Sequence, residues 1–367
     1  MNRTDSASYR DNEEAMAWRA EVGAAGSAGS FEAEGQGIAG WAAHEVAATW
    51  AACGAFEWIA LGYLALSSAL IAMFAENLAH PVKLIGVQAL VALMILVLCR
   101  VEARVAELGT LNGAVGRRTD HSTALRAGRN ACPTFAQKFW HFWRHWYPHL
   151  FFLFCFEEMG KLVHLVSPGW QDAKLIAFDR WLTGVNPSLW LERFAHPALN
   201  EFMQFAYFTY FVFLLALGGV LYYRRDAEAY WGVMTYSAVG YAFGYVISMF
   251  FPVQSPWFTM AGMWHGELVG GPFTALINII EKCGRVHGAA FPSQHVAGAI
   301  AALWGAWRHR RWLFWVFLPM VACMCVSTVY VRNHYVADVF GGMVTGTLGY
   351  AIGGWVMRRH GAVAVRT

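Results

Sequence analysis

Charged side chains are scarce in this sequence. Asp, Glu, Lys and Arg make up 14% of its 367 residues, whereas about a quarter is usual for a soluble domain. Hydrophobic residues reach 57%, so the composition excludes an ordinary soluble protein and predicts one that crosses a membrane repeatedly. The net charge of +3 is small and the basic residues cluster between apolar stretches, which argues against a nucleic-acid partner.

Cysteine pairs are also missing, and the first residues do not show the pattern of a leader sequence. The seven cysteines follow no metal or disulfide spacing, so we expect small buried residues without a redox role. Residues 1–50 have no basic start followed by an apolar core, so no cleavable signal peptide is predicted. The segment is rich in Ala, Gly, Ser and Glu, and we expect a disordered, low-complexity N-terminus in the cytoplasm.

The apolar stretches predict an all-α, polytopic membrane bundle of about eight transmembrane helices. The predicted spans are 54–75, 82–99, 146–166, 203–223, 231–250, 293–307, 313–331 and 335–357. The third contains Glu157, Glu158 and Lys161, which we expect to pair with one another inside the bundle. The last is rich in glycine, which suits close contact between helices.

Basic loops predict the orientation of the bundle. With about eight spans, four clusters of basic residues all fall on one side, which should be the cytoplasm. They lie at 100–144, 224–225, 308–311 and 358–359. The segments on the opposite side are then 167–202, 251–292 and 332–334.

Three histidines at four-residue intervals, His141, His145 and His149, fall on one face of a helix. Iron-binding membrane hydroxylases and desaturases contain such rows. Here Pro148 should interrupt the helix, and no second histidine cluster supplies the remaining ligands. We therefore favour an aromatic, basic belt at the membrane interface.

Two motifs in the C-terminal half carry candidate chemistry, FPSQH at 291–295 and STVYVRNHYVADVFGG at 327–342. His295 and His334 are 39 residues apart, which is about two crossings of about 20 residues each. The chain therefore returns both imidazoles to one membrane surface. Asp338 follows His334 by four residues, so its carboxylate lies on the same helical face and can orient that imidazole as a nucleophile.

These motifs resemble the second and third signatures of the type-2 phosphatidic acid phosphatase superfamily, PSGH and SR-x5-H-x3-D. Ser293, His295, Ser327, His334 and Asp338 stand at the matching spacing. The resemblance implies an integral membrane enzyme, here of a bacterial inner membrane. Its active site is expected on the non-cytoplasmic face.

The resemblance also implies a division of the chain. A six-helix catalytic core should cover 146–357. Residues 51–145 would add two transmembrane helices and a basic linker, and 358–367 would form a cytoplasmic tail.

The sequence departs from the signatures at three points. Gln294 replaces the signature glycine, Thr328 replaces the arginine, and the basic first signature is absent. In its place stands FPVQSPW at 251–257, which resembles the proline-rich segment of inositol phosphorylceramide synthases and their bacterial relatives. The departures favour that branch.

The chemistry that the resemblance implies is phosphoryl transfer without a cofactor or metal ion. His334, oriented by Asp338, would attack phosphorus and form a phosphohistidine, while His295 protonates the departing oxygen. Predicted phosphate ligands are Arg332, Ser293 and Gln294. Predicted residues of the substrate pocket are Phe251, Pro252, Gln254, Pro256, Trp257 and Arg285.

The expected substrate is a membrane lipid phosphoester or diphosphate. Two alternatives remain open at this point. One is transfer of the headgroup to the hydroxyl of an alcohol acceptor, as in inositol phosphorylceramide synthases. The other, from a different class, is a proton-coupled transporter in which the histidines and the aspartate act as a relay.

Overall fold

The computed structural model of the protein describes residues 38–118 and 133–364. The described part contains helices and no strand, which confirms the all-α prediction. The helices are α1 (Ile38–Ala51), α2 (Ala55–Met73), α3 (Pro81–Arg118), α4 (Phe135–Leu162), α5 (Asp172–Thr183), α6 (Pro187–Leu191), α7 (Pro197–Phe208), α8 (Tyr210–Tyr223), α9 (Ala227–Phe250), α10 (Pro256–Thr259), α11 (Pro272–Gly284), α12 (Gln294–His309), α13 (Arg311–Tyr330) and α14 (Val336–Ala364). Two short 3-10 helices lie at Ala75–Asn77 and Glu192–Phe194.

Five helical segments of the described chain are long and apolar enough to cross a membrane. They are α2, the Pro81–Leu108 part of α3, the pair α7–α8, α9 and α13, and each coincides with a predicted span. The other predicted spans, 146–166, 293–307 and 335–357, overlap α4, α12 and α14. Helix α12 is only 16 residues long, so a total of eight spans stays a prediction.

The N-terminal segment forms a unit of its own that ends at Ala52. Residues 1–37 of the predicted disordered segment lie outside the described residues. Residues 38–50 were expected to share that disorder, but they belong to helix α1, so the prediction is wrong for them. The stretch from Ala39 to Ala51 contains six alanines and no proline, and alanine has the highest helix propensity of all residues.

The core of the second unit, Cys53–Thr367, is built from three helices in mutual contact, α9, α12 and α14. Glycines on α14 allow the close approach that the sequence predicted. A Cβ at Gly346 would lie 2.5 Å from the carbonyl oxygen of Ala297 on α12. One at Gly349 would lie 2.4 Å from the carbonyl oxygen of Tyr236 on α9. No other residue type fits these two contacts without moving a backbone.

Helices α2 and α3 are joined to α4 by buried polar contacts. Arg144 forms an ion pair of 2.6 Å with the fully buried Glu57, although the sequence analysis counted Arg144 among the loop residues. Glu158 accepts a hydrogen bond of 2.9 Å from Gln88, so its partner comes from α3 and not from Glu157 or Lys161. Residues 119–132 of the predicted basic linker lie outside the described residues.

The three spaced histidines lie on α4, which continues through Pro148. The expectation that this proline interrupts the helix is therefore wrong, because its ring is buried in the bundle and packing compensates for the lost backbone hydrogen bond. Nδ1 of His145 donates to the carbonyl oxygen of His141 at 2.8 Å, and His149 stacks on Trp146. Within the described ranges, no group of three His, Cys, Asp or Glu could hold a metal ion.

Candidate active site

His295 and His334 face each other across a buried gap. Nδ1 of His295 lies 3.1 Å from Nε2 of His334. On the other side of the ring, Nδ1 of His334 lies 3.2 Å from Oδ2 of the fully buried Asp338. The structure thus brings together the three residues that the motif spacing selected.

Burial lowers the pKa of His334 to about 4, although a hydrogen bond from the ring to the backbone carbonyl oxygen of Ala290 acts in the opposite direction. The imidazole is therefore neutral near pH 7. A neutral ring has one N–H and one lone pair. Donation from Nδ1–H to Asp338 leaves the lone pair on Nε2, the atom that faces His295.

The start of α12 holds His295 in place. Ser293 caps this helix, because its hydroxyl accepts the backbone N–H of Val296 at 3.3 Å. The carbonyl oxygen of Ser293 also accepts the N–H of Ala297 at 2.9 Å. His295 therefore lies in the first turn, where backbone N–H groups and the helix dipole favour an anion.

The turn before α14 holds His334. The carbonyl oxygen of Thr328 accepts the N–H groups of both Asn333 and His334, at 3.1 and 3.0 Å. The hydroxyls of Ser327 and Thr328 are directed into their own helix, where they donate to backbone carbonyls. The threonine that replaces the signature arginine therefore uses its hydroxyl within α13.

Two carboxylates of α5, which lie outside the two motifs, hold the start of α14 by hydrogen bonds. Asp179 accepts the N–H groups of Val336 and Ala337, each at 2.9 Å, and so caps α14. Asp172 accepts the hydroxyl of Tyr335 at 2.9 Å and that of Thr259 at 2.7 Å. Burial raises the pKa of Asp179, although its two backbone donors act to lower it.

No sequence motif marks either of these carboxylates. The segment 167–202 contains five other charged side chains, so charge alone does not single out Asp172 and Asp179.

A cavity of about 740 Å³ opens beside the two histidines. Its polar end is lined by His295, His334, Asn333 and Arg285. From there it extends between α4, α8 and α11, where the walls include Phe152, Phe156, Phe211, Leu214 and Ile280. The site therefore consists of a small reactive end joined to a long apolar chamber.

The predicted pocket residues fall into two groups. Gln254 and Arg285 line the cavity, as does Gln294, which was predicted as a phosphate ligand. The other predicted pocket residues do not line it. Phe251 packs on Phe291, and Pro252 and Pro256 are buried. The guanidinium of Arg285 lies 4.4 Å from the centre of the Trp257 ring.

The two candidate phosphate-binding arginines differ in their surroundings. Arg332 donates to Glu192 at 3.2 Å and to the carbonyl oxygen of Gly266 at 2.9 Å, and it is not among the residues that line the cavity. Arg285 lines the cavity, pairs with Glu281, and has a buried Nη1 without a partner. Binding of phosphate by Arg332 stays a prediction, and Arg285 is the better placed cation.

A tyrosine that the sequence analysis missed completes the contacts of His295. The hydroxyl of Tyr207, near the end of α7, lies 2.9 Å from Nε2 of His295. The ring of Tyr210 packs against the same imidazole, with ring centroids 4.5 Å apart. No motif marked these residues, because aromatic side chains are frequent throughout this chain.

The candidate site lies in the part of the chain that matches a known protein family, which is called the family region below. Residues 173–352 match the family model of the PAP2 superfamily, and this range contains His295, His334, Asp338, Asp179 and Tyr207. No curated protein matches the chain, and no solved structure matches it. The family match and the apolar helices indicate a membrane protein of the phosphatase or phosphotransferase type.

Proposed function

From the PAP2 match over residues 173–352, we propose that the protein breaks a phosphoester or diphosphate bond of a membrane lipid, with a phosphohistidine at His334 as the intermediate. The observation that carries this proposal is the cavity that joins the histidine pair to an apolar chamber. A water-soluble phosphate ester would need only the polar end. A lipid needs both parts.

The first half-reaction uses the two histidines in opposite roles. Nε2 of His334 attacks phosphorus, so a P–N bond forms as the P–O bond to the leaving group breaks. The departing oxygen takes a proton from His295. Asp338 accepts the Nδ1–H of His334 and stabilises the positive charge that develops on that ring.

The second half-reaction reverses the proton transfer. Water or another hydroxyl group attacks the phosphohistidine, and His295 removes the proton from the attacking oxygen as the P–N bond breaks. Both histidines then return to their starting protonation states. His295 is suited to both steps because an imidazole near neutral pH can act as acid and as base.

The phosphoryl oxygens would be stabilised by groups around the polar end. Arg285 offers its partnerless Nη1, and the first turn of α12 offers backbone N–H groups at Gln294 and His295. The hydrocarbon part of the lipid would lie among the apolar side chains of α4, α8 and α11. With the proposed eight spans, this site opens towards the non-cytoplasmic face of a bacterial inner membrane.

Transfer to a lipid hydroxyl, as in the inositol phosphorylceramide synthases, is the second candidate. One observation favours it: among the described residues that line the cavity, Arg285 is the only arginine or lysine. A phosphodiester has less charge than a terminal phosphate and needs fewer cations. Gln254, which accepts a hydrogen bond from His287 at 2.9 Å, would contact the headgroup at the entrance.

The test is product analysis with purified protein in detergent. Phosphodiester lipids, lipid phosphates and prenyl diphosphates are supplied with and without long-chain alcohols, and the products are identified by mass spectrometry. His334→Ala is the inactive control. We expect cleavage that depends on His334, with a new phospholipid when the correct alcohol is present.

The outcomes separate the candidates. If lipids are cleaved but no alcohol of any class is phosphorylated, the protein is a phosphatase and the transferase alternative is wrong. If no compound is cleaved while proteoliposomes move protons together with a solute, the transporter alternative replaces the enzyme.

A further inference from the structure

We infer that Tyr207 is a positioning residue for His295: its hydroxyl holds Nε2 of the imidazole in both protonation states, so that Nδ1 faces the reacting phosphorus. The inference rests on the proposed function, and it assigns a role to a residue outside the two motifs. Its basis is the contact of 2.9 Å between the hydroxyl and Nε2.

The hydrogen bonds between the side chains of the site run in one direction. When Nδ1–H of His334 donates to Asp338, Nε2 of His334 is an acceptor. The facing Nδ1 of His295 must then bear the hydrogen, which leaves a lone pair on Nε2 of His295. The hydroxyl of Tyr207 donates to that lone pair. Each neutral ring thus has one defined tautomer.

The same hydroxyl serves the protonated ring. An imidazolium has N–H groups at both nitrogens, and a tyrosine hydroxyl can accept as well as donate. When His295 is protonated before it acts as an acid, Nε2–H donates to the oxygen of Tyr207, while Nδ1–H remains available for the leaving group. A phenylalanine could do neither.

Tyr207 is held firmly enough for this task. It is 5% exposed and packs in a cluster with Ile277, Tyr330 and Val331. Its ring also lies against the imidazole, with centroids 5.1 Å apart. The position of its oxygen is therefore fixed by packing on α7, α11 and α13 and does not depend on His295 alone.

Other groups near His295 make different contacts. The hydroxyl of Tyr210 lies 3.3 Å from that of Tyr241, so only its ring touches the imidazole. The other acidic, basic and histidine side chains that line the cavity are His149, Glu157, Glu281, Arg285 and His334. Of these, His334 contacts Nδ1 of His295, on the side of the imidazole away from Tyr207.

The kinetic test compares Tyr207→Phe with Tyr330→Phe, a matched change in the same cluster. Tyr330 donates to Asn200 and does not line the cavity. With an alkoxide leaving group, Tyr207→Phe should lower kcat about 10- to 100-fold, since a misplaced acid loses about that much. The basic limb of the pH–rate profile of Tyr207→Phe should move about one pH unit lower, because the protonated His295 loses the hydroxyl that accepts its Nε2–H.

Leaving-group dependence gives the sharper measurement. With para-substituted phenyl esters of the best substrate, the more acidic phenols need no proton as they depart. The loss of kcat in Tyr207→Phe should therefore become smaller as the phenol becomes more acidic. The same trend is expected for His295→Ala. Tyr330→Phe should show no such trend. In the His295→Ala background, Tyr207→Phe should cause no further loss.

A spectroscopic measurement does not depend on turnover. With ¹⁵N-labelled histidine, and with His295→Gln to assign the signals, the wild type should show a protonated Nδ1 on neutral His295. Tyr207→Phe should shift the ring towards the Nε2–H tautomer. If neither the tautomer nor the leaving-group trend changes while His295→Ala is impaired, the inference fails. If His295→Ala is fully active, the proposed function fails instead.

Discussion

The backbone N–H of Ser293 donates to the carbonyl oxygen of Asp338 at 3.0 Å. This bond joins the two motif segments through their main chains, one residue before α12 and in the first turn of α14. It forms where α14 passes α12 at Gly342, because a Cβ at that position would lie 2.5 Å from the carbonyl oxygen of Ser293.

Gly342→Ala should therefore separate the two halves of the site. The methyl group would force the backbones apart, which costs about 1–3 kcal/mol of stability and about 100-fold in activity through misplacement. Thermal unfolding and substrate cleavage measure the two effects. Gly354→Ala is the control on the same helix, since its Cβ would meet only side-chain atoms at ordinary contact distances, Arg358 at 3.5 Å and Tyr236 at 3.9 Å. Equal behaviour of the two variants would contradict the prediction.

Substitutions at His334 and Asp338 should distinguish the nucleophile from the residue that orients it. His334→Ala should abolish turnover and labelling of the protein by substrate phosphate, while the protein stays folded in detergent. Asp338→Asn should lose most activity, yet less than His334→Ala, because the carboxylate orients and stabilises the imidazole. A trapped phosphoprotein is identified by its lability in acid. Turnover near the wild-type rate in His334→Ala would remove this residue as nucleophile.

Stability should fall as the pH is lowered from about 6.5. Burial lowers the pKa of folded His334 to about 4, and an unfolded histidine titrates near 6.5. Between these values the unfolded chain binds a proton that the folded chain does not, so the stabilisation is complete above about 6.5 and lost towards 4. His334→Gln should reduce the slope of unfolding temperature against pH. His80→Gln, which removes an exposed imidazole, should leave the slope as in the wild type.

Removal of the Asp179 carboxylate should weaken the start of α14. Asp179→Ala leaves the N–H groups of Val336 and Ala337 without their acceptor, and unpaired buried donors cost about 1–3 kcal/mol. Thermal unfolding should show the loss, and activity should fall with it. Arg180→Gln changes an exposed neighbour on α5 and should be neutral. A stable, active Asp179→Ala protein would refute this role of α5.

Cysteine labelling can test the proposed orientation. Glu267 and Arg308 are both exposed, and eight spans would place them on opposite sides of the membrane. In a background without native cysteines, Glu267→Cys and Arg308→Cys should react with an impermeant reagent from opposite sides of sealed vesicles. Reaction of both from the same side would disprove the eight-span arrangement.

The grouping of His295, His334 and Asp338 could be predicted from the sequence because their relationship is local. His334 and Asp338 are one helical turn apart, and His295 lies two crossings away, so spacing alone brings the three together. The five apolar helices were predictable for a similar reason, since length and composition are properties of a continuous segment.

The supporting residues could not be predicted in this way. Asp172 and Tyr335 are 163 positions apart, and Tyr207 is 88 positions from His295. Only the packing of α5 and α7 against the site reveals these partners. Arg285 has the same property, because its unpaired nitrogen becomes visible only when α11 lies beside the cavity.

One wall of the cavity is formed by α4, which lies outside the family region of residues 173–352. The atoms that would make and break bonds and a surface that would enclose the hydrocarbon chain thus come from different parts of the polypeptide, one inside and one outside the family region. Under the proposed function, mutations on α4 would alter which chain length or shape is accepted while the reacting groups remain untouched. Substrate range and chemistry would then be able to change independently of each other.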